Sequence, residues 1–366
     1  MTTRSTLRRP RAAVGLALVG ALALAGCASN DATAAKTTAS ATGDSGSGSG
    51  SGLKEPDLNG DGKVVIGVLS PGDINDHGYY QSFVDGADAY AKTQGWTVIK
   101  RGSVPVNDAL TAARALCQQH VDMIALGASE LKNAIPAAEE AVCAKTAWYV
   151  PSSANIDQTP KIMLSADDPN QSMLVAGYAA GLKMKAAGDT KAGFITGAKA
   201  DFSVAAANAF LAGIREVVPK AQLATTYTGD FNDSAKAKEA TQAQISQGAK
   251  VIYPYLGGAT DASAQLANGS KVLTLTPGTD RCDSTSPKYD ISVIFSPGDY
   301  FQAALKEFAK NNLKMGTTRT WQLGVDPYPT VKICDPKGDQ AAQLAAFIKK
   351  IGSKEIDPAA EVKRLG

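Results

Sequence analysis

From residue 63 onward, short apolar runs alternate with stretches of helical spacing. The run Val64-Val65-Ile66-Gly67-Val68-Leu69 predicts a strand buried on both faces, spanning 63–69. Helical spacing over 79–92, a strand at 96–100, a helix at 108–119, a strand at 121–126, a helix at 131–144 and a strand at 147–150 complete a first series. A second series begins after Met163, with helices at 170–187, 203–218, 233–247 and 260–267 and strands at 192–195, 223–228, 251–255 and 271–275. The regular alternation then breaks. A strand at 291–295 and a helix at 300–310 precede an expected hairpin of 320–325 with 330–333, and helices at 340–351 and 358–365 end the chain. Strands alternating with helices mean βαβ units on a parallel sheet. Two such series predict an α/β fold of two doubly wound, Rossmann-like lobes joined by a hinge. The expected first lobe is 63–166 with about 291–318, and the second is 167–290 with about 319–336. The closing helices of 337–366 are assigned to neither lobe.

The first 62 residues follow other patterns. Residues 1–26 carry Arg4, Arg8, Arg9 and Arg11, then an apolar stretch ending in small residues, which reads as an export signal. Cys27 stands directly after Leu24-Ala25-Gly26, so a lipoprotein signal is expected, with Cys27 as the lipidated residue; an ordinary signal with an incidental Cys is the alternative. The apolar stretch 12–26 is short of the ~20 residues that span a bilayer. Residues 27–62 read as a flexible tether. Its Gly/Ser-rich part, 28–52, is too polar to fold and has an r.m.s. reach of roughly 25–30 Å. The expected location is the extracytoplasmic face of the cell membrane, held by lipid.

Charge changes little. The chain has a net charge of +2, but the 37 basic side chains less the four Arg of the signal leave 33 against 35 acids. No basic block stands out, which argues against a nucleic-acid partner. Besides Cys27 there are Cys117, Cys143, Cys282 and Cys334. An even number in an exported chain predicts two disulfides. Nearest neighbours in sequence suggest Cys117–Cys143 and Cys282–Cys334. No CxxC occurs, and His77 and His120 are the only histidines, so neither a metal nor a cofactor is expected.

In open α/β sheets, ligands bind beyond the carboxyl ends of the strands. After the first strand, the loop from Ser70 to Gln81 carries Asp76, Tyr79, Tyr80 and Gln81. An aromatic face there can stack on a planar ligand and a carboxylate can accept from ligand donors, although Asp76 could equally cap a helix and the tyrosines could pack on the core. Gly127 and Ser129 follow the strand at 121–126. Tyr255, Gly257 and Gly258 follow the strand at 251–255, where paired glycines permit close backbone approach. Asp280 follows the strand at 271–275 and could grip vicinal hydroxyls. These ten residues form the expected ligand set.

Tyr227-Thr228-Gly229-Asp230-Phe231-Asn232-Asp233-Ser234-Ala235-Lys236-Ala237-Lys238-Glu239-Ala240, then Gln247-Gly248-Ala249-Lys250-Val251-Ile252-Tyr253 and Gly257-Gly258, resemble the basic membrane protein (BMP) family of substrate-binding lipoproteins of ABC transporters, many of which bind nucleosides. Asp76–Gln81 is similar to the family's opening loop, and Phe194–Gly197 with Phe210–Ile214 to its next strand and helix. The resemblance covers most of residues 63–333. It implies a type I periplasmic-binding-protein fold, a permease and a separate ATPase as partners, and a monomer. It places Tyr79 as the base-stacking aromatic, Asp76 at the ligand edge, Gly257 and Gly258 on the opposite lobe and Asp280 at a ribose. Tyr80 stands where the family usually has Asn, and 294–298 lacks a Lys that is common there. About three extra residues stand around 199–201. The transport role therefore carries over better than the nucleoside.

No GxxxxGK[ST], HExxH or GxSxG motif occurs, so neither an ATPase nor a familiar hydrolase centre is expected. Asp57-Leu58-Asn59-Gly60-Asp61-Gly62 imitates half of a calcium loop, but its twelfth position is Val68. An extracellular nucleoside hydrolase and a ligand-sensing lipoprotein serving a membrane receptor remain the competing readings.

Overall fold

The computed structural model describes residues 56–152 and 156–366. Cys27, the expected signal and most of the expected tether lie outside the described residues.

The described residues hold two six-stranded sheets. The first contains β1 (Val65–Leu69), β2 (Thr97–Arg101), β3 (Met123–Leu126), β4 (Ala147–Ser152), β5 (Met163–Asp167) and β11 (Thr317–Trp321), in the order β11-β5-β4-β3-β1-β2 and parallel throughout. The second contains β6 (Lys191–Thr196), β7 (Gln222–Tyr227), β8 (Val251–Tyr255), β9 (Leu273–Gly278), β10 (Ile291–Ile294) and β12 (Thr330–Ile333), in the order β12-β10-β9-β8-β6-β7. Only β12 runs antiparallel, against β10. Each sheet therefore has a point where the strand order reverses, between β1 and β3 in one and between β6 and β8 in the other. Such points open a crevice at the strand ends.

Period-two alternation divides the first lobe's core between the two faces of its sheet. Ile66 and Val68 of β1 and Met123 and Ala125 of β3 join Phe83 of α1 (Tyr79–Gln94) and Phe301 and Phe308 of α7 (Pro297–Ala309). Leu69, Ile124 and Leu126 face the other way, against Leu116 of α2 (Ala109–Cys117) and Trp148. In the second lobe, α3 (Pro169–Ala187) is apolar nearly all round and runs through the core. It meets α4 (Asp201–Val217) backbone to backbone. A Cβ on Gly177 would lie 2.0 Å from the Phe210 carbonyl oxygen, and one on Gly213 would lie 1.9 Å from that of Leu174. The remaining helices are α5 (Ser234–Ser246), α6 (Thr260–Gly269), α8 (Gln340–Gly352) and α9 (Pro358–Leu365), and α8 and α9 pack on the second lobe. Both expected disulfides form: Cys117–Cys143 in the first lobe and Cys282–Cys334 in the second.

Several expectations change. The helix expected at 131–144 is a 3-10 segment, Ser129–Glu139, followed by a single 3-10 turn, Ala141–Cys143. Pro136 sits inside it and cannot donate to an α-helical ladder. The hairpin expected of 320–325 with 330–333 does not form, because β11 and β12 belong to different sheets. The strand expected at 291–295 joins the second sheet rather than the first lobe, while α7 and β11 return to the first. The chain thus passes between lobes three times among the described residues: after β5, after β10 and after β11. The tether ends earlier than expected. Leu58 is buried, and Asp122 accepts from the amides of Leu58 (2.8 Å), Asn59 (3.3 Å) and Val65 (2.9 Å), docking 57–62 on the first lobe. Within that turn the Asp57 carboxylate accepts from the amides of Gly60, Asp61 and Gly62.

Candidate functional site

The two reversal points face one cavity of about 1090 Å³, solvent at its mouth included. The loop after β1 supplies Tyr79 and Tyr80, the segment after β3 supplies Ala128, Ser129 and Glu130, α4 supplies Phe202, and the end of β8 supplies Tyr255, Leu256 and Gly257. Two of the interlobe passages contribute as well: Asp167 ends β5, and Phe295 follows β10.

Aromatic rings form much of the wall. Tyr79 meets Tyr80 edge to face, centroids 5.5 Å apart, and leans on Phe295 at 6.1 Å. Phe295 in turn meets Tyr255 at 6.4 Å, so a chain of rings runs from one lobe to the other. Phe202 and Phe231 stack at 6.2 Å. Tyr300 stacks on Trp321 at 4.6 Å, and the Trp321 indole donates to Ser165 Oγ at 2.9 Å. Gly257 is required by close approach, since a Cβ there would lie 2.8 Å from Asn232 Oδ1 and 3.4 Å from the Tyr80 ring.

Among the described residues, the charged side chains of the lining are Glu130 and Asp167, and neither joins a basic partner. Burial pushes the Asp167 carboxyl up to about 6, and it raises that of Glu130 as well. Asp167 is partly open to the cavity, yet the surrounding protein displaces enough water to penalise its charge. Ser172 Oγ and Tyr300 Oη, both buried and both on the wall, have no hydrogen-bond partner. A small adjoining pocket holds Arg281, whose guanidinium grips Asp261 with both nitrogens while Tyr289 Oη donates to the same carboxylate at 2.7 Å.

Five of the ten expected residues lie on the cavity: Tyr79, Tyr80, Ser129, Tyr255 and Gly257. The other five do not. Asp76 caps α1, accepting from the amides of Gly78 and Gln81 at 2.9 Å and of Tyr80 at 3.3 Å, and it borders only the adjoining pocket. Gln81 Oε1 accepts from the His77 amide at 3.0 Å, so both side chains are taken up by backbone donors around the start of α1. Gly127 lies beneath the loop, its amide donating to the Leu69 carbonyl. Gly258 donates to Asn232 Oδ1 at 2.8 Å. Asp280 sits at the surface in an ion pair with Lys332 at 2.9 Å. Its loop is pulled toward β12 by the neighbouring Cys282–Cys334 bridge. Glu130, Asp167, Phe202, Phe231, Phe295 and Tyr300 are lining residues that the sequence did not single out. Asp167 escaped because β5 was not read as a strand, although Met163-Leu164-Ser165-Ala166 carries the signal.

The family model for "Bmp: ABC transporter substrate-binding protein PnrA-like" matches residues 63–357. The chain is 27% identical over 273 residues to the ABC transporter nucleoside-binding protein BmpA of Lactococcus lactis subsp. cremoris, covering 72% of this chain and 70% of that protein. It superposes on an ABC transporter solute-binding protein from Conexibacter woesei with a TM-score of 0.63 at 20% identity, covering 80% of this chain and 98% of the other. A periplasmic solute-binding protein from Actinobacillus succinogenes, solved with bound D-allose, gives a TM-score of 0.59 at 14% identity, covering 77% of this chain and 100% of the other. These two likenesses establish the type I periplasmic-binding-protein fold. With a matching model that spans most of the sequence, the chain belongs to the PnrA-like (Bmp) family of ABC transporter substrate-binding proteins.

Proposed function

We propose that this protein captures a small ligand of the nucleoside class in the interlobe cavity and presents it to an ABC permease energised by a separate ATPase. The observation that carries this reading is the ring chain Tyr79–Phe295–Tyr255, which lines one cavity from both lobes and offers flat apolar faces to a planar group. Recognition would couple to motion. A ligand touching both lobes stabilises their closed arrangement, and the three interlobe passages are the places where a hinge can bend. The name of the Lactococcus relative supports a nucleoside, and the loss of Asp280 from the cavity leaves the ribose without the grip expected for it.

The same reading has the protein act outside the cytoplasm as a monomer, lipid-anchored through Cys27. No helix among the described residues is long and apolar enough to cross a membrane. Calorimetric titration of the full chain with purine and pyrimidine nucleosides, and with D-allose for comparison, tests the ligand class. Binding of at least one nucleoside with Kd below ~1 mM is expected. Failure of all of them, with the sugar bound, would remove the nucleoside and keep the binding role.

A further inference from the structure

We infer that the cleft selects a positively charged ligand, a protonated amine or quaternised nitrogen on a flat apolar body, held by the carboxylates of Glu130 and Asp167 within the aromatic wall. This inference rests on the cleft being the ligand site. It does not depend on the ligand being a nucleoside.

The polar lining is one-sided. Among the described residues it has two carboxylates and several hydroxyls, but no Lys, Arg or His and no Asn or Gln side chain. Carboxylates only accept, and amide side chains, the usual readers of a neutral base edge, are absent from the wall. Asp76 and Gln81, which could have supplied such contacts, are occupied by the start of α1. Arg281, in the adjoining pocket, is committed to Asp261. The two acids therefore face the cavity without a counter-charge from the described protein.

An uncompensated buried carboxylate is unfavourable, and a ligand cation supplies the missing partner. The rings strengthen the preference, because a desolvated cation is attracted to aromatic faces. A separate observation marks the same wall as unfinished. Ser172 Oγ is 1% exposed as a residue and Tyr300 8%, both line the cavity, and neither hydroxyl has a hydrogen-bond partner. Hydroxyls left so are satisfied by a ligand's N–H groups or by its hydration.

The test is calorimetric titration of the full chain at neutral pH with two matched pairs. Within the nucleoside class, 1-methyladenosine is a cation and adenosine is neutral. Outside it, phenethylamine is a cation and phenethyl alcohol is neutral. The cation of at least one pair should bind about tenfold tighter than its neutral partner, as a desolvated charge contact implies. The Glu130→Gln, Asp167→Asn double variant should lose that preference, and Glu130→Gln alone, further from the interlobe passage, should reduce it if the double variant does not fold. Phenethylamine binding while both nucleosides fail would sustain the charge selection and refute the nucleoside. Adenosine binding at least as tightly as 1-methyladenosine, with phenethylamine no better than its alcohol, would overturn the charge selection and leave the nucleoside standing. A cation preference that survives in the folded double variant would also overturn it.

Discussion

Asp167→Asn separates the stability of the empty protein from ligand binding. The wild-type carboxyl is held at about 6 against an ordinary value of 3.8, by burial first of all and by the nearby Asp168 charge. At about 1.36 kcal/mol per pH unit, this corresponds to a ceiling of about 3 kcal/mol of penalty on the charged form at pH 7. Water in the open cavity relieves part of it, leaving roughly 1–2 kcal/mol. The neutral amide does not bear this penalty, so the empty variant should be more stable than wild type above pH 6. With unfolding entropy of about 2.1 cal/mol/K per residue and roughly 300 ordered residues, that is a Tm gain of about 2–3 °C. The sign with pH follows from proton binding. Between 3.8 and about 6 the native state holds a proton that the unfolded state has released, so wild-type stability falls as pH rises through that window. The Tm difference between variant and wild type should therefore open across this window and nearly close below pH 4. Differential scanning calorimetry without ligand at several pH values measures it. A variant no more stable than wild type at neutral pH, or a Tm difference unchanged at low pH, would refute an uncompensated Asp167.

Other outcomes follow from the same structure. Tyr79→Ala should weaken an aromatic ligand by ~1–3 kcal/mol in calorimetry, the range for aromatic stacking on a base. Asp280→Ala should change affinity by less than ~1 kcal/mol, because it breaks an exposed ion pair with Lys332 and a local hydrogen bond from the Cys282 amide, both outside the cavity; a large loss would put that loop back in the site. Gly213→Ala forces a methyl within 1.9 Å of the Leu174 carbonyl and should destabilise the second lobe by roughly 3 kcal/mol or more, seen in urea unfolding; wild-type stability would show that α3 and α4 can separate. Replacing both Cys117 and Cys143 with Ala opens a loop with a sequence separation of 26 and should cost about 3.5 kcal/mol in the same assay, with near-normal stability contradicting the bridge.

The sequence by itself determined the α/β class and the two-lobed division, and it favoured, among three connectivities, the two disulfides that form. These rest on local signals: buried runs such as 64–69 form strands wherever they pack, helical spacing such as that of Tyr80, Phe83, Val84 and Ala87 gives one buried face, and four cysteines allow few pairings. Five of the ten expected residues, Tyr79, Tyr80, Ser129, Tyr255 and Gly257, also come to the cavity wall, since they lie at or just after strands that end at the reversal points. Tertiary structure alone decided the rest. Which sheet a strand joins depends on long-range pairing, so β10 enters the second sheet and β11 the first, against the expectation from sequence order, while β12 keeps its expected lobe but pairs with β10. Whether an acid faces ligand or backbone depends on which donors the fold brings to it. Asp76 met three amides and became a cap, Asp280 met Lys332 at the surface, and Asp167, at the end of an unread strand, was left facing the cavity without a partner.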